Sequence, residues 1–367
     1  MFEPVKIGVI GCGNISSAYF EHAPIFNAIE VVACADLDME KARQQAEKFN
    51  IPKVLSVDEL LSDPDIEIVL NLTVPQAHVA VARQALAAGK HTYAEKPLGL
   101  NRDEARSLMA EAASKNLRVG CAPDTFMGTG IQTACKAIQD GLIGTPVAAT
   151  AFMMGRGHES WHPSPEFYYQ VGGGPMFDMG PYYLTALLNL LGPIKRITGS
   201  ASIAIPERTI TSEPKYGKKV PVETPDHIAG TMEFVQGTVA TIITSFAVHA
   251  AQYDGDFPIT IYGTDGTLKV PDPNGFDGRV QVLKDGNFED VPSAFTSGYG
   301  RMVGVADMAA AIRSGRPHRA SGEQAFAVLD AMQGFLESAA SGQAHTITAS
   351  YTRPALMPTD LPFGTLD

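Results

Sequence analysis

The sequence predicts an α/β protein: an N-terminal Rossmann-type, doubly wound parallel sheet, then an α+β domain built on a large, mostly antiparallel open sheet. Three observations predict it. Short apolar runs alternate with helical stretches through the first third of the chain. A glycine-rich turn separates the first run from the first helical stretch. Beyond Pro123 the strand-like segments lengthen and are joined by hairpin signals. The expected boundary gives a nucleotide-binding domain over 1–123 and a substrate-binding and oligomerisation domain over 124–367.

Val5–Ile10 is a continuous apolar run, as expected of a strand buried on both faces. Helix over Asn14–His22, strand over Glu30–Ala35 and helix over Met39–Phe49 follow, the last closed by Asn50-Ile51-Pro52. Ser56 and Glu59 have the spacing of a capping box. Ile66–Leu72 reads as strand, and Pro75 opens a helix that ends at Gly89. His91–Ala94 is the next strand, Asn101 caps a helix to about Lys115, and Leu117–Cys121 completes the parallel set.

Past that point a helix is expected over Gly130–Gln139. Long strands are expected over Pro146–Met154, Ile194–Ile205, His227–Val235 and Thr238–Val248. Gln236-Gly237 and Thr264-Asp265-Gly266 are hairpin turns. Helices return at Met302–Ser314 and Gln324–Ala340, and the chain from Tyr351 forms an extended tail.

Composition narrows the function classes. The 367 residues are 45% hydrophobic, enough for two ordinary domains with real cores. The net charge of −12, from 28 basic and 40 acidic side chains, repels a phosphate backbone, so no nucleic-acid partner is expected. No apolar run is long enough for a bilayer, and Val5–Ile10 runs into glycines rather than a cleavage site. No membrane partner and a cytoplasmic location are therefore expected. Cys12, Cys34, Cys121 and Cys135 match neither a zinc pattern nor a disulfide framework and read as buried thiols.

Gly11-x-Gly13-x-x-Ser16 has the form of a dinucleotide loop. Gly11 permits the tight turn, Gly13 lets backbone approach a pyrophosphate, and the N–H groups around Asn14 and Ile15 favour an anion. Ser16 stands where Gly or Ala is usual, and it is small enough to serve. Asp36, at the end of the second strand, can accept hydrogen bonds from a ribose and would repel a 2′-phosphate. Leu37 follows it with no adjacent arginine, so the expected cofactor is NAD rather than NADP.

Three further runs carry a resemblance: Asn71-Leu72-Thr73-Val74-Pro75-Gln76-Ala77-His78, then Ala88-Gly89-Lys90-His91 through Glu95-Lys96-Pro97, then Gly172 through Gly180 with Asp178. Together they resemble the glucose–fructose oxidoreductase / inositol dehydrogenase (Gfo/Idh/MocA) family over the first half of the chain. Val74 stands where that family usually has proline. The resemblance implies that Thr73, Pro75 and His78, largely through backbone groups, and Glu95 and Lys96 line the cofactor, and that Lys96 and Asp178 are catalytic. It places Tyr182 where the family usually carries a histidine, so Tyr182 is expected to join the catalytic set by hydrogen-bonding the reacting oxygen. It also implies a homodimer or homotetramer formed through the open sheet.

The residues support parts of this independently. Lys96 follows the carboxyl end of a predicted parallel strand, where ligands of open α/β sheets bind. A partly desolvated amine there can exchange protons near neutrality. Read alone, Lys96 fits equally a surface lysine paired with Glu95. Asp178 and Tyr182 flank Gly180-Pro181, a helix start, so both can face one cleft. Each also has a structural reading, Asp178 as a helix N-terminal carboxylate and Tyr182 as a core aromatic.

Arg156-Gly157-His158-Glu159-Ser160-Trp161-His162 is dense in hydrogen-bonding groups around the only tryptophan. Arg156, Trp161 and His162 are expected to contact substrate, as is Asp124 after the sixth strand. The histidine spacing is not that of a helical metal pair, and hydride transfer needs no metal, so no metal is expected.

The expected activity is hydride transfer between NAD and a secondary alcohol or hemiacetal carbon of a sugar or polyol. Two alternatives stay open: a glycoside-cleaving enzyme that holds its NAD tightly, and a non-catalytic NAD-binding regulator on the same fold.

Overall fold

The computed structural model describes residues 3–249, 251 and 256–367. The chain divides into two compact units. The first contains residues 1–132, 294–329 and 354–367, and the second contains 133–293 and 330–353.

The first unit is built on β1 (Val5–Ile10), β2 (Ile29–Ala35), β3 (Lys53–Val54), β4 (Ile68–Asn71), β5 (His91–Ala94) and β6 (Val119–Cys121). They form one sheet in the order β3-β2-β1-β4-β5-β6, with every pair parallel. The order reverses direction between β1 and β4, which is the switch point where such sheets take ligands. The connecting helices are α1 (Asn14–His22), α2 (Met39–Phe49), α3 (Val57–Ser62), α4 (His78–Ala87) and α5 (Arg102–Ser114).

Local signals place these elements. Asn101 accepts the N–H groups of Asp103 and Glu104 at the start of α5. Ser56 and Glu59 form the expected capping box on α3. The expected helix from Pro75 begins as a 3-10 turn over Pro75–Ala77 before α4 proper. One face of the sheet buries Ile10, Val32, Ala35 and Val69 against Leu60 of α3 and Ala85 of α4. The four cysteines are buried and unpaired, as expected.

The compact units are not made by a single cut along the chain. The segment 294–329 and the tail 354–367 belong to the first unit, not to the second. It includes α9 (Val303–Ser314), which packs on β6. Arg313 of α9 forms a two-armed pair with Glu67, at 2.7 and 2.6 Å. Residues 319–321 cover the open edge of β6 through the Cys121 N–H to Ala320 bond and a Gly120–Ser321 bridge, which protects an otherwise unpaired strand. The tail is irregular, as expected, and stacks Phe363 on Tyr299 at 5.2 Å. None of these partners is close in sequence, so no local pattern signals them.

The second unit contains β7 (Pro146–Met154), then α7 (Gly174–Asp178) and α8 (Gly180–Leu191). After these come β8 (Ile194–Ser202), β9 (Glu207–Thr209), β10 (Lys219–Pro221), β11 (His227–Phe234) and β12 (Val239–Ser245). The remaining strands are β13 (Ile259–Gly263), β14 (Thr267–Val270), β15 (Gln281–Lys284), β16 (Asn287–Asp290) and β17 (His345–Thr346). Helices α6 (Thr129–Gln139) and α10 (Gly322–Ser341) contain the points where the chain passes between units.

Nine of these strands form one sheet in the order β16-β15-β14-β13-β7-β12-β11-β8-β17. Every neighbouring pair but β7–β12 is antiparallel. Both expected hairpins are present, β11–β12 and β13–β14. Helix α8 is buried along its whole length, in keeping with its apolar sequence. No helix among the described residues is long and apolar enough to cross a membrane.

The returning segment of the first unit rests on Asp307, which is wholly buried. It accepts the Arg319 N–H at 2.6 Å and an Arg316 guanidinium N–H at 2.8 Å, and it also pairs with the Arg319 guanidinium. Removing one partner of such a group leaves an uncompensated charge in a poorly hydrated place. Asp307→Ala is expected to lower stability by about 3–5 kcal/mol, read from the urea midpoint at neutral pH.

Candidate functional site

In the first unit the site grows from the end of β1. Gly11 has φ +104, and a Cβ there would lie 2.6 Å from the carbonyl of Leu72, so only glycine fits. Gly13 is different: an added Cβ would meet nothing within 4 Å. The protein itself does not require glycine at 13, and the space beside it faces outward. Gly13 caps α1 through its backbone, and no side chain caps that helix. Its first turn, with exposed Asn14 and half-buried Ile15, thus keeps N–H groups for an anion. Ser16 is buried and donates to the Gly13 carbonyl at 2.7 Å, which accounts for a hydroxyl at that position.

Asp36 locks this turn to β2. One carboxylate oxygen accepts the Cys12 N–H at 2.7 Å, the other the Asp38 N–H at 2.8 Å. A carboxylate has about four acceptor positions, so two remain for ribose hydroxyls. Leu37 beside it is 97% exposed, and no arginine is adjacent in the sequence to hold a 2′-phosphate. The open glycine, the helix start without a side-chain cap and this half-used carboxylate fit a dinucleotide without a 2′-phosphate.

Past β4, Thr73 donates its N–H and hydroxyl to the Asn71 side chain, and Pro75 follows half-buried. His78 is turned inward. It is 1% exposed, and its ring nitrogens stand 2.7 Å from the Pro97 carbonyl and 3.1 Å from that of Thr73. Burial pushes its pKa below the ordinary value, although the two carbonyls oppose this. The His78 ring staples the loops after β4 and β5 together.

Glu95 is likewise turned inward. One oxygen accepts the Tyr19 hydroxyl at 2.8 Å and faces Arg301 at 3.4 Å, and the other accepts the Lys96 N–H at 3.0 Å. Burial alone would raise its pKa, but Arg301, Lys96 and Tyr19 outweigh burial and hold it below the usual range. Lys96 is half-buried at the carboxyl edge of the sheet, two residues beyond β5.

Asp124 requires correction. It has no exposure and accepts the Gly304 N–H at 3.0 Å, at the start of α9. Its place is that of a helix-terminal carboxylate inside the first unit, not of an exposed substrate contact.

In the second unit Asp178 ends α7 and meets His158, whose Nε2 lies 2.9 Å from Oδ2. His158 sits in the loop after β7 among Tyr168, Phe246 and Trp161. That loop is fastened by Arg208, which is buried. Arg208 donates to the Arg156 carbonyl, to Glu159 at 3.0 Å, to Asp226 at 3.1 Å and to the Phe246 carbonyl. Glu159 is bonded in turn by the Tyr169 hydroxyl, and Tyr169 accepts the His158 N–H at 3.0 Å.

Arg156 is exposed, with only its carbonyl engaged here. Trp161 is 61% exposed, and half-buried His162 accepts the Ser164 N–H. Tyr182 is 4% exposed within α8. The structure thus brings Asp178 together with His158, next to Trp161. It buries Tyr182 in the helix that follows.

Residues 5–122 match the model of the oxidoreductase family with an NAD-binding Rossmann fold, and residues 131–269 match that of the GFO/IDH/MocA C-terminal domain. The chain belongs to the Gfo/Idh/MocA family. Its Rossmann unit is therefore of the NAD-binding kind. An uncharacterised oxidoreductase of Schizosaccharomyces pombe is 30% identical over 240 residues, which cover 60% of this chain and 63% of that protein. The chain thus spans less than two thirds of that relative. The trans-1,2-dihydrobenzene-1,2-diol dehydrogenase of Bos taurus is 26% identical over 272 residues, 73% of this chain and 75% of that one. Levoglucosan dehydrogenase in complex with NADH and L-sorbose superposes with a TM-score of 0.82 at 22% identity, over 95% of this chain and 100% of that one. At that identity the likeness concerns the fold.

Within this Gfo/Idh/MocA chain, sequence reasoning missed His158, Tyr19 and Arg301. His158 lay in a run already singled out, but nothing local ties it to Asp178. Arg301 lies 206 residues from Glu95, beyond any sequence pattern.

Two outcomes follow. Gly13→Ala is expected to fold within about 0.5 kcal/mol of the parent and to bind NAD about tenfold more weakly or worse, by thermal unfolding and titration calorimetry. Asp124 gives a pH signature. Burial pushes its carboxyl up to about 6, from an ordinary 3.8, against the opposing pull of Arg301. The unfolded chain releases this proton near its ordinary value and the folded chain only near 6, so the group's contribution to stability falls as pH rises through that window. Asp124→Asn keeps an acceptor for Gly304 and is expected to remove that fall, about 3 kcal/mol, in unfolding curves compared with the parent from pH 4 to 7.

Proposed function

We propose that this protein is an NAD-dependent dehydrogenase acting on a secondary alcohol or hemiacetal carbon of a sugar or polyol. The observation that carries this reading is Lys96. Its amine belongs to the carboxyl edge of a Rossmann sheet, and its backbone N–H is held by a buried, ionised Glu95. NAD, when bound, supplies the hydride acceptor. Lys96 takes the hydroxyl proton of the substrate, and in the second unit the carboxylate of Asp178 binds a substrate hydroxyl. Tyr182 is almost wholly buried. Asp36 and exposed Leu37 support NAD over NADP, because a 2′-phosphate would meet a carboxylate with no arginine adjacent in the sequence.

The names of the relatives, a dihydrodiol dehydrogenase and levoglucosan dehydrogenase, support a cyclic polyhydroxylated substrate. The protein works in the cytoplasm as a homodimer or homotetramer. β7 supports this assembly: it alternates buried Ala149, Ala151 and Met153 with half-buried Thr150, Phe152 and Met154, so the second face of the sheet is only partly covered.

Absorbance of NADH across a panel of sugars and polyols tests the reading. Steady NADH production is expected. A tightly held NAD with no net NADH would mark a glycoside-cleaving enzyme, and NAD binding without turnover would mark a regulator. Lys96→Ala is expected to lower kcat by about a hundredfold or more while NAD still binds. Near-normal turnover in that variant would refute the role of Lys96.

A further inference from the structure

The second unit carries an imidazole that no family motif supplies. His158 Nε2 donates to Asp178 Oδ2 at 2.9 Å. A neutral imidazole with its proton on Nε2 has an acceptor lone pair on Nδ1, and among the described residues no hydrogen bond to Nδ1 is seen. The carboxylate thus selects the tautomer that can receive a hydroxyl.

The surroundings favour a ring-shaped ligand. Tyr168 meets His158 edge-on at 4.0 Å, Phe246 lies at 4.7 Å and Trp161 at 5.2 Å. Trp161 and Phe167, linked through the His162 ring, are exposed by 61% and 40%. An exposed apolar cluster beside a fixed polar pair has the character of a ligand site. The pair is built rather than incidental. Gly157 at φ +100 leaves no room for a side chain against Tyr169 and Glu159, and buried Arg208 fastens the same turn.

We propose that His158, and not Tyr182, is the substrate-binding partner of Asp178: Nδ1 accepts a hydrogen bond from a hydroxyl of a cyclic polyol whose C–H face lies on Trp161. This rests on the dehydrogenase reading above. Tyr182 occupies the position of the family's histidine, but it is 4% exposed in a wholly buried helix. The imidazole therefore comes from a different segment, twenty residues before Asp178.

Trp161 is the only tryptophan of the chain, so its fluorescence reads this loop directly. Levoglucosan, L-sorbose and myo-inositol are titrated into the full chain with saturating NAD. The parent is expected to respond to at least one of them. His158→Ala is expected to weaken that binding about tenfold or more, with an unchanged NAD-induced rise in melting temperature and partial recovery on adding free imidazole. Tyr182→Phe is expected to bind within about threefold of the parent. Should His158→Ala fail to show the NAD-induced rise, His158→Gln replaces it, with the same loss expected.

Binding by the histidine variant equal to the parent's overturns the proposal. So does a loss that imidazole leaves unrepaired, or a tenfold loss in Tyr182→Phe with the fold intact. A parent that binds none of the probes and makes no NADH fails the dehydrogenase reading and this one with it. A responsive parent with an unaffected histidine variant fails this one alone.

Discussion

A single carboxylate fixes the working edge of the first unit. Glu95 has almost no contact with solvent, yet it stays charged because Arg301, Tyr19 and the backbone of Lys96 surround it. These partners belong to three segments: α1, which opens at the glycine turn, the chain just before α9, and the end of β5. Burying a charge is costly unless partners replace its hydration, so the position of each segment is constrained by the others. Lys96 inherits that order, since its own N–H is one of the partners. His78 adds a second tie by bonding the loops after β4 and β5. The nucleotide turn and the proposed proton acceptor are thus parts of one hydrogen-bonded frame.

The second unit solves a similar problem with a cation. Arg208 is buried and bonded to Glu159, Asp226 and two carbonyls. It holds a loop that would otherwise be free, and that loop carries His158 and Trp161. Loops positioned by a rigid scaffold are where binding residues commonly lie. Here the scaffold is β9, β11 and the end of β12, and the loop's geometry depends on one guanidinium.

Most of the first unit was legible along the chain. β1, α1, α2 and β5 have the bounds their apolar and capping patterns predict. Gly11 and Asp36 hold the places that a dinucleotide turn requires. In the second unit the long strands and both hairpins were legible too, because alternation and turn residues are local signals. The parallel pairing of β7 with β12 was not, since nothing in either strand encodes its neighbour.

The candidate site divides along the same line. By itself the sequence determined the turn at Gly11 and Gly13, the carboxylate at 36, and the order of Glu95, Lys96 and Asp178, because these depend on backbone conformation and short spacings. Only the tertiary structure decided which side chains face inward. It turned His78, Glu95 and Asp124 into internal ties, grouped residues 294–329 with the first unit, and set His158 beside Asp178. The physical reason is common to all of them. A buried polar group must find partners wherever the fold brings them, and those partners lie tens to hundreds of residues away.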